Sequence, residues 1–211
     1  MYFVKTLKIV SLIYRSLIWE IPEKEKIIYL TFDDGPEEKF TPEILQILDR
    51  YKAKATFFCV GENSKKNPGI IQQIIKAGHA VGNHSYSHLK GNRTNTEEFI
   101  NDIKKCNDIL KTKLFRPPYG KISRRQIKRL KEDYNIIMWS VIPGDFDDKV
   151  SKELLLKRSI KYTKQGTIIV FHDNIKTKEK VLYALPKFLE HFINMGYNFE
   201  KINIACNQTP Y

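Results

Sequence analysis

This chain has little of what holds small or disordered proteins together or marks them for export. Three cysteines in 211 residues, Cys59, Cys106 and Cys206, are odd in number and far apart. That argues against a disulfide framework and fits a reducing compartment. No glycine-rich phosphate loop and no nucleic-acid motif occurs, so a nucleotide-driven or nucleic-acid-binding function is not expected. The first uncharged run, Ile9 to Tyr14 between Lys8 and Arg15, is too short for a signal-peptide core or a membrane span. No small-residue cleavage site follows it. A cytoplasmic protein is therefore expected, either free or held at the cytoplasmic face of a membrane. No Gly/Ser linker, low-complexity tract or internal repeat divides the chain, and one domain is expected.

Acid is also absent before Glu20. In that stretch Phe3, Leu7, Val10, Tyr14 and Leu17 recur every three or four residues, while Lys5, Lys8 and Arg15 gather on the other side. Residues 1–22 read as an N-terminal amphipathic helical segment. Two placements stay open: packed against its own domain, or lying through residues 1–19 on an anionic membrane surface.

What is abundant is apolar and basic. Apolar residues make up 42% of the chain, with twelve Phe and eleven Tyr, which excludes a disordered protein and supplies a core. Net charge is +12, from 36 Lys+Arg against 24 Asp+Glu, favouring solubility and polyanions without specifying a fold. The densest basic run, Arg124 to Lys131, places Arg124, Lys128 and Lys131 on one side at helical spacing, the pattern of a solvated helix face. Cys59, inside Ala55–Val60, reads as buried and inert.

From residue 27 onward, apolar or β-branched runs alternate with helix-patterned segments. Strands are expected at 27–32, 55–60, 80–83, around Phe115, and at 136–141, 167–172 and 199–202. Helices fall between them, opened by Thr41-Pro42, Asn67-Pro68, Thr96, Ser123 and Ser151, with a last one ending near Gly196. Such repetition implies a mostly parallel sheet with helices outside, open or closed into a barrel. Chemistry then gathers at the carboxyl ends of the strands.

The candidate motifs lie at such ends. Asp33-Asp34 follows the first strand in Thr31-Phe32-Asp33-Asp34-Gly35-Pro36. Adjacent carboxylates repel, and successive strand residues face opposite ways, so a metal on one with the other free as a base would reconcile both. Plain turn chemistry is the competing explanation. His84 and His88 are four apart and could meet one metal if the segment turns helically, and two His with one Asp form a common zinc set. Arg116-Pro117-Pro118-Tyr119-Gly120 is a rigid ledge whose arginine can keep a carboxylate ionised. An acidic loop carries Asp145, Phe146, Asp147 and Asp148. The apolar strand Ile168–Phe171 ends in His172, a natural general acid beside a metal site. His79 reads as structural, and His191 as a helix residue without chemistry.

In this order the motifs resemble the five motifs of the polysaccharide deacetylases, the carbohydrate esterase family 4 enzymes that share the chitooligosaccharide deacetylase homology domain. The resemblance spans roughly residues 27–203 and makes residues 23–211 the catalytic domain. It implies a distorted (β/α) barrel of about seven mostly parallel strands with outer helices. It also implies metal-dependent removal of N-acetyl groups, sometimes O-acetyl groups, from amino-sugar glycans of oligosaccharide, peptidoglycan or lipid-linked type. Carried over, Asp34, His84 and His88 hold a divalent ion, zinc first and cobalt or another ion otherwise. Asp33 is the base and His172 the acid. Arg116 orients Asp33, and Asp145 tunes Arg116 and His172, with Asp147 and Asp148 as alternatives for that place. Tyr119 lends its backbone N–H to the oxyanion. Val170 stands where the family has a pocket leucine, and Phe146 where it has a tryptophan. Ile142 replaces an acid of the family loop, which puts substrate choice in question more than chemistry. A hydrolase of another amide or ester, and a sugar-binding module with a silent site, are the competing readings.

Overall fold

The computed structural model describes residues 2–204, so Cys206 lies outside the described residues. The element order is α1 Lys8–Ile13, β1 Ile27–Asp33, α2 Thr41–Arg50, β2 Ala55–Cys59, α3 Gly61–Lys66, α4 Pro68–Lys76, β3 Ala80–Asn83, α5 Thr96–Leu110, β4 Leu114–Phe115, α6 Arg124–Leu130, β5 Asn135–Ile136, α7 Lys152–Tyr162, β6 Ile168–His172, α8 Lys178–Asn194 and β7 Asn198–Phe199. The strands pair in parallel in the order β5-β4-β3-β2-β1-β6, with β7 also on β1. Central β1 and β2 are buried on both faces, which is why they read as unbroken apolar runs.

Register sets the site. Asp33 lies opposite His172 on one side and Phe58 on the other, so the acid pair and the terminal histidine emerge at one rim. Outside, α8 buries Val181, Ala184, Leu185, Phe188, Leu189 and Phe192 against β1 and β6 residues such as Phe32 and Phe171. The basic helix α6 turns Gln126, Ile127 and Leu130 inward and leaves Arg124 and Lys128 in solvent, and Ser123 caps it with a full capping box.

The barrel does not close by a seventh full strand. Between β5 and β6, among the described residues, the chain makes only single bridges, Ile137 to Ile18 and Val141 to both Lys5 and Ile169. The strand expected at 136–141 is therefore two residues long, because the N-terminal segment intervenes: Ile18 N–H donates to Ile136 O (2.9 Å), and Met138 N–H donates to Ile18 O (2.7 Å). The N-terminal segment is helical only over Lys8–Ile13. The chain then turns over residues 14–16, and single bridges pin it on both sides, Lys5 to Val141 before the helix and Glu20 to Thr167 after it. Helix α5 opens at Thr96 as expected, with Asn95 as its cap, whereas the cap expected at Thr41 does not form because its hydroxyl is drawn to Asp173. Among the described residues no helix is long and apolar enough to cross a membrane.

Candidate active site

A guanidinium lies at the centre of the barrel mouth. Arg116 is fully buried, following β4 with its N–H on Asn83 O (2.9 Å). An unpaired buried charge is prohibitive, and here every direction is answered. Nη1 donates to Asp33 Oδ1 (2.6 Å) and Thr31 Oγ1 (2.7 Å), Nε to Ile137 O (3.2 Å) and Nη2 to Met138 O (2.9 Å). The plane rests on Phe58 at 4.0 Å. Thr31 and Asp33 share a strand face, so one arginine reaches both. Asp33 Oδ1 is thereby engaged, and Oδ2 is the oxygen left toward the site.

Strand alternation predicts opposite directions for Asp33 and Asp34, and the structure overrides it. Asp34 has φ +78°, in the left-handed region, which ends β1 and swings its carboxylate back. Both acids then face His84, whose Nε2 is 4.0 Å from Asp33 Oδ2 and 3.7 Å from Asp34 Oδ1. His88 Nε2 approaches Asp34 Oδ1 at 3.2 Å. Gly35 is required next, because a Cβ there would sit 2.1 Å from Asp173 Oδ2.

The histidines are not on a helical turn. Residues 84–88 form a loop with positive φ at Ser85 and His88, held by Asp102 Oδ2, which accepts from Tyr86 N (2.8 Å) and Ser87 N (3.0 Å). The rings still converge, with centroids 5.1 Å apart. His84 Nδ1 lies 2.8 Å from Arg116 O, which fixes the Nδ1–H tautomer and turns a lone pair at Nε2 toward the site. Burial holds His84 down at about 4, neutral and able to ligate.

The donor set fits a divalent cation. Ligand atoms of Asp34, His84 and His88 all lie within 4.8 Å of one another, two imidazoles and one carboxylate with open positions remaining. Burial alone would raise the Asp34 pKa, yet the His88 hydrogen bond and the charges of His172 and His84 hold it well below the usual carboxylate range. Asn174 Nδ2 donates to Asp34 Oδ2 (2.8 Å), leaving Oδ1 toward the histidines, and Asn63 Nδ2 ties down Asp34 O (2.8 Å). Sequence reading missed both asparagines. A neutral amide carries no signal until the fold places it beside a carboxylate.

Across the mouth, His172 is clamped by Asp145. Ring Nδ1 lies 2.8 Å from Asp145 Oδ1, and the His172 backbone N–H donates to Oδ2 (2.6 Å). Burial would lower the imidazole pKa, but buried Asp145 overrides it and carries His172 up to about 9. Of the acids in that loop, Asp145 is the one bonded to His172. Asp147 is instead taken up by Tyr2 OH (3.2 Å) and Lys149 N (3.0 Å). Asp145 Oδ1 also accepts from Phe146 N (3.1 Å), and among the described residues no bond joins Asp145 to Arg116, which was the second half of the expected role.

Phe146 meets the His172 ring edge-on at 5.1 Å and is partly exposed, and Tyr2 packs on its other side at 4.9 Å. Tyr2 adds an aromatic to this wall that sequence analysis did not assign. Tyr119 sits beside His88 (ring centroids 4.6 Å) in a tight turn with φ +59°. Val170 is fully buried on the same strand face as His172, two residues below it. His79 accepts from Ala55 N (3.2 Å) and is structural, and His191 packs on Phe192 in α8. Asp173, also unassigned by sequence, anchors the turn after Asp34. Its N–H donates to Asp33 O (2.7 Å), its Oδ2 accepts from Thr41 Oγ1 (2.6 Å), and burial pushes it up to about 7.

Known proteins carry the same fold and sequence pattern. The polysaccharide deacetylase family model matches residues 20–134. A peptidoglycan-N-acetylglucosamine deacetylase of Bacillus cereus is 37% identical over 193 residues, covering 88% of this chain and 90% of that one. The peptidoglycan-N-acetylmuramic acid deacetylase PdaC of Bacillus subtilis is 31% identical over 87% of this chain, which spans 39% of PdaC. The crystal structure of the Bc1960 peptidoglycan N-acetylglucosamine deacetylase, bound to an N-oxidanyl-benzamide, superposes with TM-score 0.85 at 32% identity, covering 91% of this chain and 93% of that one. With the barrel, the paired carboxylates and the family match together, the chain belongs to the polysaccharide deacetylases.

Proposed function

We propose that this polysaccharide deacetylase removes N-acetyl groups from the amino sugars of peptidoglycan-type glycans, using zinc held by Asp34, His84 and His88. The observation that carries the reading is the division of labour at one rim. A cation-binding triad lies beside an Arg116-paired carboxylate, with an Asp145-charged imidazole across the mouth. The substrate class is supported by relatives named for N-acetylglucosamine and N-acetylmuramic acid in peptidoglycan.

The reaction is hydrolysis: water and an acetamide give acetate and an amine. A divalent ion in the triad supplies Lewis-acid polarisation of a carbonyl and lowers the pKa of water. Asp33, kept ionised by Arg116, accepts the attacking water's proton at Oδ2, the oxygen that the arginine leaves free. His172 is protonated at neutral pH because Asp145 holds its Nδ1–H, so its Nε2–H goes to the departing nitrogen. The Tyr119 backbone N–H serves the developing oxyanion, a contact worth about 3 kcal/mol. Phe146 and Tyr2 offer an aromatic face to the sugar ring beside His172.

The test is acetate release from N-acetylglucosamine oligomers, peptidoglycan fragments and simple acetyl esters, with and without added zinc. Zinc-dependent release from the glycans well above the esters is expected. Turnover of esters alone would replace this reading with a general esterase.

A further inference from the structure

The N-terminal segment takes no part in that chemistry beyond Tyr2, yet it builds a feature of its own. At the start of β6, the end opposite His172, residues 5–20 wrap a cavity of about 450 Å³, within the range of small-ligand pockets. Leu12, Leu17, Ile18, Trp19 and Val141 give it apolar walls, and Lys5, Lys8, Arg15 and Lys164 stand around it. Glu20, the one acid among its lining residues, is paired with Lys164 at 3.7 Å. Lys5, Lys8 and Arg15 are exposed and have no salt-bridge partner among the described residues.

Beside this cavity, on and next to α1, Leu7, Ile9, Leu12 and Ile13 are each 45–63% exposed. Scattered exposed apolar residues need no explanation, but four within seven positions form a patch of the kind that marks an interaction surface. They cannot turn inward, because the segment is pinned on both sides of α1. Thr6 N–H donates to Ser140 O (2.9 Å) and Thr6 Oγ1 to Trp139 O (2.7 Å) before the helix, and Ile18 bonds to the β5 side after it.

We infer that this face is a docking site for an anionic phospholipid bilayer, with an acyl chain seated in the cavity and lipid phosphates on Lys5, Lys8 and Arg15. Charge complementarity selects the occupant: three unpaired cations bordering an apolar patch match a surface that is anionic outside and hydrocarbon within. The inference stands apart from the catalytic reading. Only its corollary rests on that reading: with the lipid face at the opposite end of β6 from His172, the catalytic mouth opens away from the bilayer.

The test uses the full chain and vesicles of phosphatidylcholine alone or with about one-third phosphatidylglycerol, scored by flotation. Binding to the anionic vesicles only, weakened by high salt, is expected. Each cation near such a surface is worth about fivefold in partitioning, so Lys5→Glu/Lys8→Glu should lower it at least about tenfold. Leu12→Asp/Ile13→Asp should lower it similarly, with far-ultraviolet circular dichroism unchanged because all four side chains are exposed. Phosphatidylglycerol brominated along its chains should quench tryptophan fluorescence, and most of that quenching should vanish in Trp19→Phe. Equal flotation with neutral vesicles, or flotation indifferent to charge reversal, overturns the lipid site. Quenching that survives Trp19→Phe overturns the seat in the cavity. Acetate release from soluble oligomers, followed in parallel, reports separately on the catalytic reading.

Discussion

Replacing Asp145 with Asn should uncouple His172 from its charge. In the folded protein the imidazole titrates near 9 rather than at the ordinary 6.5, so Asp145 and its neighbours favour the charged ring by about 3 kcal/mol net of burial. Asparagine removes the charge and leaves the burial, so the His172 pKa should fall well below its wild-type value, with only Asp34 and Asp33 still favouring the charged ring. Its amide can also accept only one of the two bonds that Asp145 takes from His172, which adds about 1–3 kcal/mol of pH-independent destabilisation. The linkage has a definite sign. Because the folded pKa lies above the unfolded one, the pair's contribution is fully present below pH 6.5 and is lost as pH rises through about 9. The stability gap between wild type and Asp145→Asn should therefore be widest near pH 6 and narrow toward pH 10. Imidazole NMR of metal-stripped protein gives the pKa, and urea unfolding across that range gives the gap. Loss of the general acid should also lower kcat by about 10²–10⁴. A His172 that still titrates near 9 in the variant, or a gap that does not narrow with pH, would refute the clamp.

Other perturbations separate the remaining parts. His84→Ala/His88→Ala should strip the protein of divalent metal by elemental analysis, and a double variant at full occupancy contradicts the triad. Asn174→Ala should weaken zinc binding about 10–100-fold in chelator competition while leaving unfolding nearly unchanged. Unaltered affinity would mean that the amide does not orient Asp34. Arg116→Met leaves Asp33 buried without its partner and should cost about 3–5 kcal/mol in urea unfolding. A cost under about 1 kcal/mol would show the pair to be dispensable for stability.

The sequence made the chemistry-bearing residues legible because each is of a reactive type at a strand end: Asp33 and Asp34 after β1, His84 after β3, His172 closing β6. Strands β1, β2 and β6 were legible for a related reason, since burial on both faces leaves continuous apolar runs. What escaped was set by tertiary placement. Helix α3, Gly61–Lys66, has no apolar stripe and is held by neighbours such as Tyr86 O, which accepts from Glu62 N (3.1 Å). The direction of Asp34 depends on one positive φ that no alternation pattern reports. Residues 2–22 have the apolar spacing of a helix but are helical only over Lys8–Ile13, with Lys5, Ile18 and Glu20 bridged to the barrel. Period alone cannot distinguish a free amphipathic helix from a segment pinned along a barrel. Asn63, Asn174 and Asp102 act through hydrogen bonds to backbone or carboxylate that only the fold brings within reach, for which composition has no signature.

The central claim is that Asp33 takes a proton at a metal site it does not help to hold. Asp33→Asn, purified and refilled with zinc, tests it directly when metal content and acetate release from peptidoglycan fragments are measured on the same sample. Near-stoichiometric zinc, with release at least about a hundredfold below wild type, is the expected pair of values. Near-normal acetate release by the zinc-loaded variant would contradict it.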